Sequence, residues 1–177
     1  MPSARRATGF TSEQPTYAVA VDASGKVAFR PGDSARLVAG GAPELVLETV
    51  GWGRGRVVAP PVGGVAALED GGLALDRGSV RETLRNGEKG TEQAWEVDRE
   101  PEGEGPLTVR VRVTGQRFVQ SSAEGLHFAP EDGEGPGVRY GLATWVDARG
   151  TCTPLPAPRH ENGEVVRRTG RVVRLSM

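Results

Sequence analysis

Residues 90–113 read GTEQAWEVDREPEGEGPLTVRVRV, two strand-like runs on either side of a stiff acidic loop. From residue 107 to 113 the chain alternates Leu, Thr, Val, Arg, Val, Arg, Val. Successive side chains of a strand point to opposite faces, so Leu107, Val109, Val111 and Val113 share one face and Arg110 and Arg112 are left to water. Residues 90–97 predict the companion strand, with Ala94 and Trp95 as its bulkiest apolar pair. Pro101, Gly103, Gly105 and Pro106 break the chain between the two.

Outward from this centre, short apolar runs recur between turn signals. Tyr17, Val19 and Val21 lead into Asp22-Ala-Ser-Gly25 and a return run at residues 27–30, a hairpin pattern. Residues 44–50 (ELVLETV) predict a strand with Leu45, Leu47 and Val50 inward, and residues 51–55 (GWGRG) a flexible corner. Short runs at 56–59, 65–68 and 73–76 keep the spacing of a sandwich or barrel. Residues 80–85 lead to Asn86-Gly87, where both residues tolerate the positive φ of a tight hairpin turn. Residues 79–86 also compete as a helix, because Ser79 and Glu82 have capping-box spacing.

Beyond Val113 the runs at 117–120, 126–129 and 138–146 read as strands, with a second acidic loop at 131–137. Asp147-Ala-Arg-Gly150 repeats the earlier turn pattern. Asn162-Gly163 predicts a last hairpin between Val165-Val166 and residues 172–175. No stretch offers three helical turns of apolar residues free of Gly or Pro. The expected fold is all-β, an antiparallel β-sandwich-like single domain of many short strands. It would follow a polar lead-in at residues 1–16 and occupy residues 17–177, either as one unit or as two packed β subregions at about 17–78 and 79–177.

Composition narrows the function classes. The 26 Gly and 13 Pro of 177 residues are spread as punctuation between apolar runs, as turns in an all-β domain require. A net charge of -1 provides no field for nucleic acid or an anionic membrane surface. Cys152 is the single cysteine, so neither an internal disulfide nor a cysteine metal site can form. No window approaches the roughly 18 apolar residues of a membrane span. Residues 1–16 hold no apolar segment of signal-peptide length.

Several pieces taken in order carry a family resemblance. They are Gly51-Trp-Gly-Arg-Gly55, Val80-Arg-Glu82, Gly90-Thr-Glu-Gln93 with Trp95 and Val97, Gly103-Glu-Gly-Pro-Leu107, and Val138-Arg-Tyr-Gly-Leu142 with Asp147, Gly150 and Pro154. This order resembles the β-rich N-terminal module of large secreted or surface bacterial proteins that carry FG-GAP (integrin-like) or related β repeats. The resemblance implies a sandwich-like module without a catalytic role, placed at the cell surface or outside the cell. The missing signal peptide departs from that pattern and leaves a cytoplasmic location open. The ending Arg174-Leu-Ser-Met177 departs too, since such modules usually end in a Tyr-Pro strand.

Each candidate for chemistry has a structural counterpart. Gly51, Gly53 and Gly55 have GxGxG rather than GxGxxG spacing, and RVVAPP after them cannot open the helix that a phosphate loop needs. Gly32-Asp33-Ser34 matches the Gly-Asp-Ser of some serine hydrolases, with His127 and His160 as the available bases. The two histidines are too far apart in sequence to read as a zinc site.

Glu100, Glu102 and Glu104, and Glu131, Asp132 and Glu134, could pair as acid and base in a glycosidase. Glu102, Glu104, Glu131, Asp132 and Glu134 are better candidates for calcium, whose oxygen ligands such loops supply. Trp52, between glycines, is the candidate sugar platform, whereas Trp95 and Trp145 sit among alternating apolar residues and read as core. Arg167, Arg168, Arg171 and Arg174 read as the wet face of the terminal hairpin.

The expected function is therefore a non-enzymatic structural or binding module with protein as its partner and no cofactor. A carbohydrate-binding or calcium-dependent adhesion domain is the alternative, and a hydrolase a second one.

Overall fold

The alternation at the centre of the chain buries as expected, with Leu107, Val109, Val111 and Val113 all in the core. The computed structural model describes residues 9–14, 16–32, 44–99, 101–169 and 174–176, and every regular element among them is a strand. All pairings are antiparallel. One seven-stranded sheet runs in the order β1 (Gly9–Gln14), β2 (Tyr17–Asp22), β3 (Val27–Pro31), β4 (Leu45–Arg54), β9 (Leu107–Thr114), β16 (Glu164–Thr169), β15 (Arg159–Glu161). A second runs β14 (Cys152–Pro154), β13 (Thr144–Val146), β17 (Arg174–Ser176), β8 (Gly90–Val97), β7 (Val80–Gly87), β6 (Leu73–Asp76), β5 (Gly64–Ala67). A three-stranded sheet, β10 (Arg117–Ser122), β11 (Gly125–Ala129), β12 (Val138–Tyr140), completes the fold.

The two large sheets face each other across one apolar layer. Leu45, Trp52, Val109 and Val165 from the first sheet pack with Val80, Trp95 and Trp145 from the second and with Leu126, Phe128 and Tyr140 from the small sheet. A second cluster gathers Tyr17, Val19, Val21 and Val27 against Leu75 and Leu84. This is the all-β, sandwich-like architecture that the period-two runs predict.

The connectivity differs from the sequence reading in several places. The runs at 90–97 and 107–113 are not partners: β8 belongs to the second sheet and β9 to the first, so the loop between them crosses the layers. Each large sheet takes strands from both sides of residue 78, so 17–78 and 79–177 are not separate sheets. The lead-in is shorter than expected, because β1 begins at Gly9 and pairs along the whole of β2. Residues 138–146 hold two strands in different sheets, β12 and β13.

The β7–β8 hairpin turns at Glu88-Lys89 rather than Asn86-Gly87, since Gly87 faces Gly90 and Asn86 faces Thr91 inside the ladder. Burial sets that register: Val80, Glu82 and Leu84 are inward together with their neighbours Gln93 and Trp95, and a one-residue slip would turn them all outward. The same two-residue period overrides the capping-box spacing at Ser79 and Glu82, so residues 80–87 are a strand and not a helix.

At the C-terminal end Asn162-Gly163 does form the predicted turn, with φ of 51° and 77°. Its strands are β15 and β16, however, and residues 174–176 belong to the other sheet as β17, between β8 and β13. The two Asp-X-X-Gly turns are as expected. Gly25 donates to the Asp22 carbonyl and Gly150 to that of Asp147, and each aspartate side chain caps amides of its own turn. The amides of Thr151 and Arg149 hold the Asp147 carboxyl below its ordinary value.

Trp52 is buried, at 6% exposure, where the sequence reading had it exposed. The cause is a bulge in β4: Thr49 faces Val111, Gly51 faces Arg110 and Trp52 faces Val109, so Val50 is extra. Strict alternation from Leu45 and Leu47 would turn Trp52 to solvent, and the bulge resets the phase. Gly53, at φ 146°, then lets the chain fold back so that Val58 pairs with Trp52; a Cβ there would lie 2.3 Å from the Arg56 carbonyl oxygen.

Candidate functional site

Where the β7–β8 hairpin stands over β3 and β4, the two large sheets part and leave an open cleft of about 730 Å³. Val27, Phe29, Leu45, Leu47 and Leu84 make its apolar floor, residues 85–93 line one side, and Val138, Arg139, Tyr140 and Gly141 line another. Arg85, Glu88, Lys89, Glu92 and Arg139 stand along it. Arg85 is paired with Asp70 at 2.8 Å and Arg139 with Glu124. An apolar floor with a few convergent polar groups is the usual form of a small-ligand site.

Tyr17 fixes the geometry of this cleft. Its ring stacks on Phe29 with centroids 5.0 Å apart, and its hydroxyl lies 2.6 Å from the Gly87 carbonyl and 2.8 Å from that of Gly90. The same oxygen accepts from the Gly87 amide at 3.1 Å. One side chain thus holds a floor residue and the hairpin wall at a set separation. Burial raises the Tyr17 hydroxyl above its ordinary pKa, against the opposing hydrogen bonds of Thr91 and Gly87.

Behind the cleft runs a buried polar chain between the sheets. Glu82, 0% exposed, receives Arg77 Nε at 2.9 Å and the Thr49 hydroxyl at 3.0 Å on one carboxylate oxygen, and Gln93 Nε2 on the other. Arg77 also donates to the Gly25 carbonyl at 3.0 Å, and Trp95 Nε1 donates to Thr49 Oγ1 at 3.2 Å. Tyr140 donates to Gln93 Oε1 at 3.3 Å, and the Arg167 guanidinium lies over the Tyr140 ring, 4.9 Å from its centroid. Burial pushes the Tyr140 hydroxyl up to about 12, despite the Arg167 charge beside it. Gln93, Tyr140 and Gly141 belong both to this chain of contacts and to the cleft lining.

No family model, curated protein or solved structure matches the chain.

The structure scatters the residues singled out from sequence. Glu102 and Glu104 are exposed in the loop before β9, and Glu131, Asp132 and Glu134 are exposed between β11 and β12. Among the described residues no three His, Cys, Asp or Glu side chains come together as a metal site. Trp95 and Trp145 are core, as read, and Trp52 joins them instead of forming a platform. Ser34 and Glu100 lie outside the described residues.

His160 stacks on Phe118 at 4.3 Å, an apolar setting. His127 Nε2 is 2.7 Å from Ser122 Oγ, a hydroxyl–imidazole pair that sequence spacing did not suggest. Ser122 Oγ also accepts the Glu124 amide at 3.1 Å, so the pair closes the β10–β11 turn.

Arg167 corrects the reading of a wet C-terminal face. It is 3% exposed, whereas Arg168 is exposed as expected and Arg171 lies outside the described residues. A signal for the buried chain was present in the sequence: Glu82 is in phase with Val80 and Leu84, Gln93 with Trp95, and Arg167 with Val165. A polar residue at an apolar phase of a strand marks a buried polar contact.

Proposed function

We propose that the protein is a non-enzymatic binding module whose ligand is a small amphipathic molecule lodged in the inter-sheet cleft. The observation that carries the reading is the cleft itself, with Phe29 and Leu47 on its floor, only partly covered, and charged side chains along its rim. Partly exposed aromatic and aliphatic side chains at the base of a concavity gain free energy when an apolar body covers them, by about 25 cal/mol per Å². Tyr17 prepares the concavity in advance, so little ordering is needed on binding. Display by a bacterial surface or secreted protein belongs to the same proposal and rests on the family resemblance.

The test uses the fluorescent apolar anion 8-anilinonaphthalene-1-sulfonate on the folded protein and on Leu47→Glu. Saturable binding near one per chain to the wild type, weakened at least tenfold in Leu47→Glu with unchanged circular dichroism, is the expected result. Absence of saturable binding, or equal binding by both proteins, removes the cleft as the site.

A further inference from the structure

The second layer of the fold is interrupted at the cleft. β8 pairs with β7 along its whole length, but on its other side β17 meets only Trp95 and Glu96. Among the described residues, that side of β8 has no strand beside it at 90–93. β12 is likewise an edge strand, paired with β11 alone. Residues 90–93 and 138–141 both line the cleft as unbroken runs, whereas β3 and β4 present alternate residues, Val27 and Phe29, Leu45 and Leu47. Alternate residues mark the face of a strand, and an unbroken run marks its edge. No ladder joins the two edges; Tyr140 and Gln93 meet through the ends of their side chains, at 3.3 Å.

The line of this gap is set by β17, which lies between β8 and β13 and is antiparallel to both. β12 leads into β13 across Gly141, Leu142 and Ala143. The lane that β17 fills beside Trp95 and Glu96 therefore continues between residues 90–93 and the edge of β12, over the floor of β3 and β4. We propose that this lane accepts a short peptide in extended conformation, hydrogen-bonded through its main chain to the edges of β8 and β12, with apolar side chains at alternate positions covering Phe29 and Leu47. This rests on the cleft reading and names the class of ligand. An unpaired strand edge is a template for a further strand, with affinity from main-chain hydrogen bonds and specificity from alternate side chains. An alkyl chain would cover the same floor and leave both edges unpaired. Runs of this length, at about 3.3 Å per residue, suit a ligand of about four to six residues. Glu92 is exposed on the β8 edge, so a cation at the outward position beside it is favoured.

The test titrates acetyl-Thr-Val-Lys-Val-Thr-Val-amide into the folded protein by calorimetry. Two controls go beside it: acetyl-Lys-Thr-Thr-Val-Val-Val-amide, of the same composition, and the first peptide N-methylated at its three valines. The alternating peptide is expected to bind one per chain and at least tenfold more tightly than either control. It should slow amide exchange within 90–94 and within 138–141, and bind at least threefold more weakly to Glu92→Lys. Equal binding of either control overturns the strand reading, as does binding without slowed exchange at both edges or with unchanged affinity in Glu92→Lys. Failure of the peptide to bind while 8-anilinonaphthalene-1-sulfonate binds saturably also overturns it and leaves the cleft reading standing. Failure of both probes removes cleft and strand together. If Glu92→Lys does not fold, the three peptides on wild type still decide.

Discussion

Glu82 is the residue on which the interior polar chain turns. Its carboxylate is met by Arg77, Thr49 and Gln93, so every oxygen is used and the buried charge is balanced locally. Removing one partner of a buried pair leaves the other charge stranded, which typically destabilises by about 3–5 kcal/mol. Glu82→Gln is expected to lose stability in that range by urea unfolding. The double replacement Glu82→Leu with Arg77→Met should recover most of the loss, because two apolar side chains leave no stranded charge. A loss below about 1 kcal/mol for Glu82→Gln would show that the pair does not hold the sheets in register. The phase of Glu82 within its strand was legible in the sequence, but its partners come from β4, β8 and the loop before β7, and local spacing carries no record of them.

The β7–β8 hairpin is the element that shapes the cleft, and Tyr17 is the tie that fixes its tip. Tyr17→Phe keeps the stacking on Phe29 and removes only the hydroxyl contacts to Gly87 and Gly90. The expected cost is about 1–2 kcal/mol, with hydrogen exchange at residues 87–90 accelerated relative to the rest of the strands. Uniform exchange in wild type and variant would mean that the hairpin needs no tie. Such a contact joins residues 70 and more apart in sequence, and nothing near Asn86-Gly87 announces it. The turn itself was misplaced for the same reason: the local dipeptide preference at Asn86-Gly87 is weaker than the burial of Glu82, Leu84, Gln93 and Trp95, which fixes the ladder and pushes the turn two residues on. Where no tertiary demand competes, as at Asn162-Gly163, the dipeptide does mark the turn.

At the scale of the molecule, all three tryptophans lie in the apolar layer between sheets: Trp52 at 6%, Trp95 at 1% and Trp145 at 7% exposure. Native emission should therefore be blue of the unfolded chain's and weakly quenched by acrylamide, with a single cooperative shift to the red on unfolding. A native spectrum already at the unfolded position, or strong quenching of about one third of the signal, would contradict the burial of Trp52. The layer is built from strands far apart in sequence, as β9 pairs with both β4 and β16, and its assembly waits on long loop closures.

The sequence by itself determined the longer central strands, the Asp-X-X-Gly turns and the side of β9 that is buried, because period-two patterning and turn chemistry act over a few residues; β1, β14 and β15 were not legible in it, and the run at 56–59 forms only an isolated bridge at Val58. Tertiary structure alone decided which sheet each strand joins, the phase reset that buries Trp52, the cleft under the hairpin and the interior place of Arg167. Each of those depends on which distant strand lies opposite, and that is set by the burial of both faces together.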